Sequence, residues 1–479
     1  MEQSPLHNIL NPKSIAFMGG SNSIENVGTS QLLNIVRGGF KGKVYPIHPR
    51  EKEIMGLKAY PSIMELPEVP DVAIMVIPNH AVPQALEDCG KKGIRRAVII
   101  TAGYEEMGAE GRRLQQHLLE IAKKHDIRFL GPNCIGVINA HIGLNTTWFA
   151  HLYKPGGVGI ISQSGSYVTQ TLPYFGHLGL GLSKAISVGN QADIDMVDGL
   201  EYLGQDAQTK AIALYIEGLK RPRSFLQTAR NITPRKPIVA LYVGGTEAGR
   251  RAAQSHTGSI SGPDELYEGL FRQCGILRAR SLTELFDWSL ALAQQPLPNG
   301  NRMVVLTNSG GPATSMADEC SRHGLAVPPF DSQTQERIRG MTPDTASAKN
   351  PIDITMNYDL DLIFNRLPEL TLSLKDFDGM LFYGIFGPIH FEHKKTMAHG
   401  LIHIPIDFLR DWMTKVCQTF VTYPEKYRKP ILCSCFCGRE DEAVAFLQDA
   451  GIPVYPTPGR AVRAMAALWK YQKIRKGND

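Results

Sequence analysis

The 479-residue sequence is 43% hydrophobic and 20% charged, with 46 glycines and 31 prolines. This balance excludes a disordered chain and fits a folded protein rich in tight turns, long enough for about three cores of roughly 150 residues each. The formal charge of +5 comes without a dense Lys/Arg run, which argues against a nucleic-acid surface, and the basic Lys470 to Lys476 segment reads as a solvated terminal helix. No stretch approaches the ~18 consecutive apolar residues of a membrane span, and Met1-Glu2-Gln3-Ser4-Pro5 does not resemble a signal peptide, so a cytoplasmic location is expected.

In chain order, short apolar runs alternate with helix-like stretches: Ser14 to Met18, Lys43 to Ile47, Val72 to Ile77, Ala97 to Ile100 and Arg128 to Leu130. Runs of this kind predict parallel strands covered on both faces by helices, hence a doubly wound α/β domain over residues 1–148. A second α/β unit, residues 149–298, takes in Gly156 to Ile161, Lys210 to Ile216, Pro237 to Leu241 and a helix from Leu282 to Gln295. Pro296 to Asn301 is a linker of turn-formers. The third unit, residues 299–479, contains Arg302 to Thr307, Gly379 to Tyr383, Pro430 to Leu432 and a helix from Asp441. Ser162-Gln163-Ser164-Gly165 and Asn308-Ser309-Gly310-Gly311 echo each other as strand, small polar turn and helix, as expected of two flavodoxin-like units.

Two His and Cys clusters invite a metal reading without the spacing for one. Cys433-Ser434-Cys435-Phe436-Cys437 has the period of one strand face, and His390, His393, His399 and His403 lack a joining thiol or well-spaced carboxylate. No metal site is predicted. The eight cysteines show no disulfide framework.

Three segments carry chemistry. Gly19-Gly20-Ser21-Asn22-Ser23 joins the first strand to a helix starting near Gly28, a geometry that suits a phosphate or an ordinary tight turn. The second strand ends in His48-Pro49-Arg50 rather than in the carboxylate an NAD ribose requires, which favours coenzyme A or NADP. Ser162-Gln163-Ser164-Gly165-Ser166 reads equally as an anion pocket and as a serine helix cap. The sharpest segment, Gly244 to Ser259, is rich in Gly, Ala and Ser after a buried strand, and His256 lies within it among small residues. That setting gives an imidazole access and donors for a phosphoryl group. Glu217, at the carboxyl end of Leu214-Tyr215-Ile216, is either a carboxylate orienting a histidine or an ordinary exposed acid at a strand end.

From residues 8 to 470 the chain resembles the α subunit of ADP-forming acetyl-CoA synthetase, in the superfamily of succinyl-CoA synthetase. The resemblance rests on ordered motifs: Gly39 to Pro46, Gly131-Pro132-Asn133-Cys134-Ile135-Gly136, Ser162 to Gly165, Ser255-His256-Thr257-Gly258-Ser259, Asn308 to Pro312, Asn350-Pro351-Ile352-Asp353 and Gly451 to Pro456. It implies a Rossmann-like CoA-binding domain followed by two flavodoxin-like domains of the succinyl-CoA synthetase type. It further implies CoA contacts from Gly20, Ser21, Lys43, His48, Ile77, Pro78 and Asn133, and phosphate contacts from Gln163, Ser164, Gly165, Thr257 and Gly258. His256 is then the phosphohistidine and Glu217 its orienting carboxylate. The implied reaction converts acyl-CoA, ADP or GDP and phosphate into a small carboxylic acid, CoA and ATP or GTP. The nucleotide and Mg²⁺ would sit on a separate ATP-grasp β subunit in an α2β2 heterotetramer. Tyr242 stands where the family often has Lys, and the segment Phe386 to Tyr427 has no close counterpart in the resemblance. The competing readings are an NADP-dependent oxidoreductase, which leaves the His256 segment without a role, and a non-catalytic CoA-binding regulatory subunit, against which His256 and Glu217 argue.

Overall fold

The structure, a computed structural model, describes residues 4–149, 154–249, 251, 262–355, 357, 359–385, 387 and 406–477. It divides into two compact units, one of Met1–Gly176 with Gly181–Arg280, the other of His177–Leu180 with Ser281–Asp479.

The first unit holds two sheets. In the first, β1 (Ser14–Met18), β2 (Lys43–Ile47), β3 (Val72–Met75), β4 (Arg96–Ile99) and β5 (Arg128–Leu130) run parallel in the order β2-β1-β3-β4-β5. Every residue of β1 and β3 is buried, as continuous apolar runs demand of a sheet covered on both faces. The second sheet comprises β6 (Val137–Asn139), β7 (Leu144–Asn145), β8 (Lys154–Ser162), β9 (Gly181–Ser187), β10 (Ala211–Ile216), β11 (Ile238–Tyr242) and β12 (Leu277–Ala279), in the order β12-β11-β10-β8-β9-β6-β7. Strands β8 to β12 are mutually parallel, and β6 joins β9 antiparallel.

The two sheets share one core, in which Phe17, Ile74 and Leu130 of the first meet Ile186, Leu214 and Ile216 of the second. A connecting segment stitches them: the amides of Asn190, Ala192 and Ile194 donate to the carbonyls of Pro132, Gly131 and Phe129 at 3.0–3.1 Å. Arg128 Nε lies 2.8 Å from Asp193 beside it.

The strand Gly181–Ser187 departs from the apolar pattern because it buries polar side chains with partners. Ser183 Oγ meets Thr209 Oγ1 at 2.8 Å, and Lys184 Nζ donates to Asp206 and Gln208 at 2.8 Å each.

The second unit is built on a parallel sheet of β13 (Met303–Thr307), β14 (Ile352–Asp353), β15 (Gly379–Tyr383), β16 (Ile431–Ser434) and β17 (Val454–Tyr455), in the order β14-β13-β15-β16-β17. The helix Leu282–Gln294, which the sequence groups with residues 149–298, packs in this unit against the helix Pro458–Arg475. Its buried Asp287 receives two bonds from Arg460, at 2.7 and 2.6 Å, and its carbonyl accepts from Tyr455 Oη at 2.8 Å.

Strand β16 ends at Ser434, so Cys437 is not on the strand face that the period-two spacing suggests. Cys433 and Cys435 are buried, Cys437 is exposed, and Cys435 Sγ donates to the Ile385 carbonyl at 3.3 Å. The four histidines between 390 and 403 lie outside the described residues. Among the described residues, no helix is long and apolar enough to cross a membrane.

Candidate functional site

The carboxyl ends of the first sheet gather most of the residues expected at a CoA site, because Met18, Ile47, Met75 and Leu130 end parallel strands of one sheet. Gly19, with φ +108°, opens the first turn, and a Cβ there would sit 2.1 Å from the Val76 carbonyl oxygen. At Gly28 a Cβ would lie 2.2 Å from the Gly19 oxygen, so the turn and the first turn of helix Val27–Arg37 meet backbone to backbone. Asn26 caps that helix by accepting from the Gly28 amide at 2.8 Å. Ser21 is fixed by Thr29, through its amide at 3.0 Å and its hydroxyl at 3.1 Å, and Gly20 backs onto Leu32.

His48 is half-buried at the end of β2, where its Nδ1 accepts from the amides of Arg50 (3.3 Å) and Glu51 (2.9 Å). In the neutral ring the proton therefore sits on Nε2, which leaves that edge to donate outward. Ile77 follows β3, and its carbonyl accepts from Thr101 Oγ1 at 2.6 Å, with Pro78 exposed beside it. Asn133, at φ +56°, turns the chain after β5 and donates from Nδ2 to Asn190 Oδ1 at 3.2 Å.

Lys43 is the exception. It opens β2 in register with Ser14, at the amino edge of the sheet, and its Nζ is held 3.0 Å from Glu68. With β2 rising about 3.3 Å per residue, four residues separate it from the edge that carries the other candidates, so the structure does not bring Lys43 together with them.

A second constellation forms where β8 and β10 end side by side, Ser162 against Tyr215. The Gln163 side chain accepts from two backbone amides, Glu217 N at 2.6 Å and Gly218 N at 3.0 Å. Because both donors converge on one atom, that atom is the carboxamide oxygen. Glu217 itself is only 3% exposed, which decides against the reading of an ordinary surface acid. Ser162 Oγ donates to the Ser164 carbonyl at 2.7 Å and accepts from its amide at 3.1 Å, shaping the turn, while Gly165 backs onto Ile135.

The loop after Glu217 is tied down by its own basic residues. Arg221 forms a two-point pair with Asp195 at 2.6 Å and reaches Asp198 at 2.7 Å. Burial opposes ionisation of Asp195, yet Arg221 and the Val197 amide hold its carboxyl below the ordinary value. Neither Lys220 nor Arg221 stands out in sequence, although they lie only three and four residues after Glu217.

His256, Thr257 and Gly258 lie outside the described residues, but both ends of their segment are defined. The Val243 amide donates to the Ile216 carbonyl at 2.9 Å, which places the start of the segment beside Glu217. Tyr242 donates from Oη to the Gly262 carbonyl at 2.7 Å and stacks on Tyr267 with ring centroids 3.5 Å apart.

Comparison with known proteins bears on the family and the fold. A family model described as a CoA binding domain matches residues 13–140, and one described as a succinyl-CoA ligase like flavodoxin domain matches residues 155–292. The chain is 44% identical over 466 residues to the alpha subunit of the ADP-forming acetate–CoA ligase II of Pyrococcus furiosus, covering 97% of each chain. It is 38% identical to the ADP-forming acetate–CoA ligase of Methanocaldococcus jannaschii, where 98% of this chain spans 63% of that longer protein. Among solved structures, the acetyl-coenzyme A synthetase 1 of Ca. Korarchaeum cryptofilum, solved with phosphate and ADP, superposes with a TM-score of 0.86 at 36% identity, covering 99% of this chain and 98% of that one. These full-length likenesses place the chain in the family of ADP-forming acetate–CoA ligase alpha subunits.

Proposed function

We propose that the chain is the acyl-transfer and phosphate-relay subunit of an ADP-forming acyl-CoA synthetase, working with an ATP-grasp β subunit in an α2β2 assembly. The reading follows the family and the chemistry of the two edges. CoA lies across the turns of Gly20, Ser21, His48, Ile77, Pro78 and Asn133. Phosphate, held by Gln163, Ser164 and Gly165, attacks the thioester carbonyl, and CoA leaves as the thiolate. The acyl phosphate then passes its phosphoryl group to a ring nitrogen of His256, and the carboxylate departs. Thr257 and Gly258 supply donors to the phosphoryl oxygens, and Glu217 accepts from the other ring nitrogen. Phosphohistidine finally delivers its phosphate to ADP, with Mg²⁺, on the β subunit.

The observation that carries this reading is the burial of Glu217, pinned by Gln163 and set beside the start of the segment that holds His256. A buried carboxylate next to a histidine fixes its tautomer and stabilises the cationic ring. Incubation of the full chain with acetyl-CoA and labelled phosphate should give an acid-labile, alkali-stable protein phosphate that is absent in His256→Ala. Glu217→Gln should slow labelling by about 10- to 100-fold, from ~1.5–3 kcal/mol for a charged hydrogen bond. Label that survives acid, or that persists in His256→Ala, moves the carrier to another residue.

A further inference from the structure

A continuous run of hydrogen bonds connects the CoA-edge turn to the Glu217 loop, and nothing in the reaction as described uses it. It begins at Asn133, whose Nδ2 donates to Asn190 Oδ1 at 3.2 Å. Asn190, 3% exposed, donates from Nδ2 to Glu106 Oε2 at 2.6 Å and to Gln115 Oε1 at 3.2 Å. Gln115, itself buried, donates to Glu105 Oε2 at 2.8 Å, and the same oxygen accepts from Lys220 Nζ at 3.1 Å.

The loop that carries Glu105 and Glu106 also touches the other CoA-edge turn. Asn79 Nδ2 donates to the Gly103 carbonyl at 3.4 Å, Tyr104 Oη donates to the Asn79 carbonyl at 3.3 Å, and Glu106 Oε1 accepts from the amides of Gly103 and Tyr104. The turns after β3 and β5 therefore converge on one acidic loop, and that loop grips Lys220, three residues beyond Glu217. At the other end of the Glu217 segment, Gln163 holds the amides of Glu217 and Gly218.

Resting on the CoA site proposed above, we infer that Lys220 is a positioning residue that transmits occupancy of the CoA turns to the carboxylate loop. Each link before the exposed Lys220 is a buried or half-buried polar group whose geometry depends on its neighbour, so ordering of Asn133 and Ile77 by CoA is passed to Glu105 and from there to Lys220. The Lys220 side chain is 40% exposed and that of Glu105 24% exposed, so replacing either disturbs the link without opening the core. Coupling of this kind is a change in one site's ordering caused by the ligand of another, and it is read directly as a difference between bound and free protein.

The experiment combines calorimetry with amide hydrogen exchange of the full chain, using CoA as the ligand. In the wild-type chain CoA should bind and should slow exchange in the peptide covering Glu217 to Arg221 by at least threefold. In Lys220→Met and in Glu105→Gln, CoA should still bind within fivefold of wild type, but its effect on that peptide should fall below 1.5-fold. Lys220→Arg, which keeps the ion pair, should restore it. Binding of CoA without slowed exchange at the Glu217 loop in the wild type, or equal slowing in Lys220→Met, overturns the inference while leaving the CoA site standing. Absence of CoA binding in the wild type overturns the functional reading and this inference with it.

Discussion

Replacing Gln163 with Leu tests the geometry of the phosphate edge most directly. The carboxamide oxygen accepts from the amides of Glu217 and Gly218 at 2.6 and 3.0 Å, in a region where Gln163 and Glu217 are 2% and 3% exposed. Leucine fills a similar volume and offers no acceptor, so both amides lose their partner away from water. A buried donor left unsatisfied costs about 1–3 kcal/mol, which makes the pair worth about 2–6 kcal/mol unless the loop moves to find water. Either response hurts function, because moving the loop displaces Glu217. If only the lower figure falls on the phosphorylated state, the rate of label transfer to the chain from acetyl-CoA and phosphate should drop at least about 30-fold. Gln163→Glu keeps an oxygen acceptor for both amides, so its urea midpoint should stay near wild type while that of Gln163→Leu falls. Label transfer within twofold of wild type in Gln163→Leu, with an unchanged urea midpoint, would refute the argument that this side chain holds the Glu217 loop in place.

The CoA edge offers two further tests by calorimetry. Gly28→Ala puts a methyl group 2.2 Å from the Gly19 oxygen, so the first turn must open and CoA affinity should fall more than tenfold. Undiminished affinity would show that the turn does not hold the ligand. With His48 and Arg50 directly after β2, CoA should bind tighter than dephospho-CoA, and Arg50→Met should narrow the gap. Equal affinity of the wild type for both ligands removes the argument from the basic strand end.

The parallel strands were readable from sequence because an apolar run buried on both faces needs no tertiary information to be recognised. Ser14 to Met18 and Gly379 to Tyr383 match observed strands residue for residue. Gly181–Ser187 was not readable, since Ser183, Lys184 and Ser187 break the run and partners distant in sequence make their burial tolerable: Thr209 for Ser183, Asp206 and Gln208 for Lys184, and the Ile135 amide for Ser187. Lys43 stands apart from the other candidates for a related reason: a motif identifies a strand but does not say which edge of the sheet a residue occupies. Glu217 could be placed at a strand end, but its burial depends on Gln163, 54 residues earlier, and so was beyond local reading. The partnership of Asn133 with Asn190 across 57 residues is of the same kind.

The bond between Tyr242 and the Gly262 carbonyl sets a tether length. His256 stands six residues before Gly262, and a fully extended chain covers at most about 3.5 Å per residue, so with that anchor intact the His256 Cα reaches no farther than about 21 Å from Gly262, and the imidazole only a side-chain length beyond. A nucleotide held inside that radius can be served with the tyrosine stack in place. One held outside it can be reached only after Tyr242 releases Gly262, and delivery of the phosphoryl group would then wait on the breaking of that one hydrogen bond.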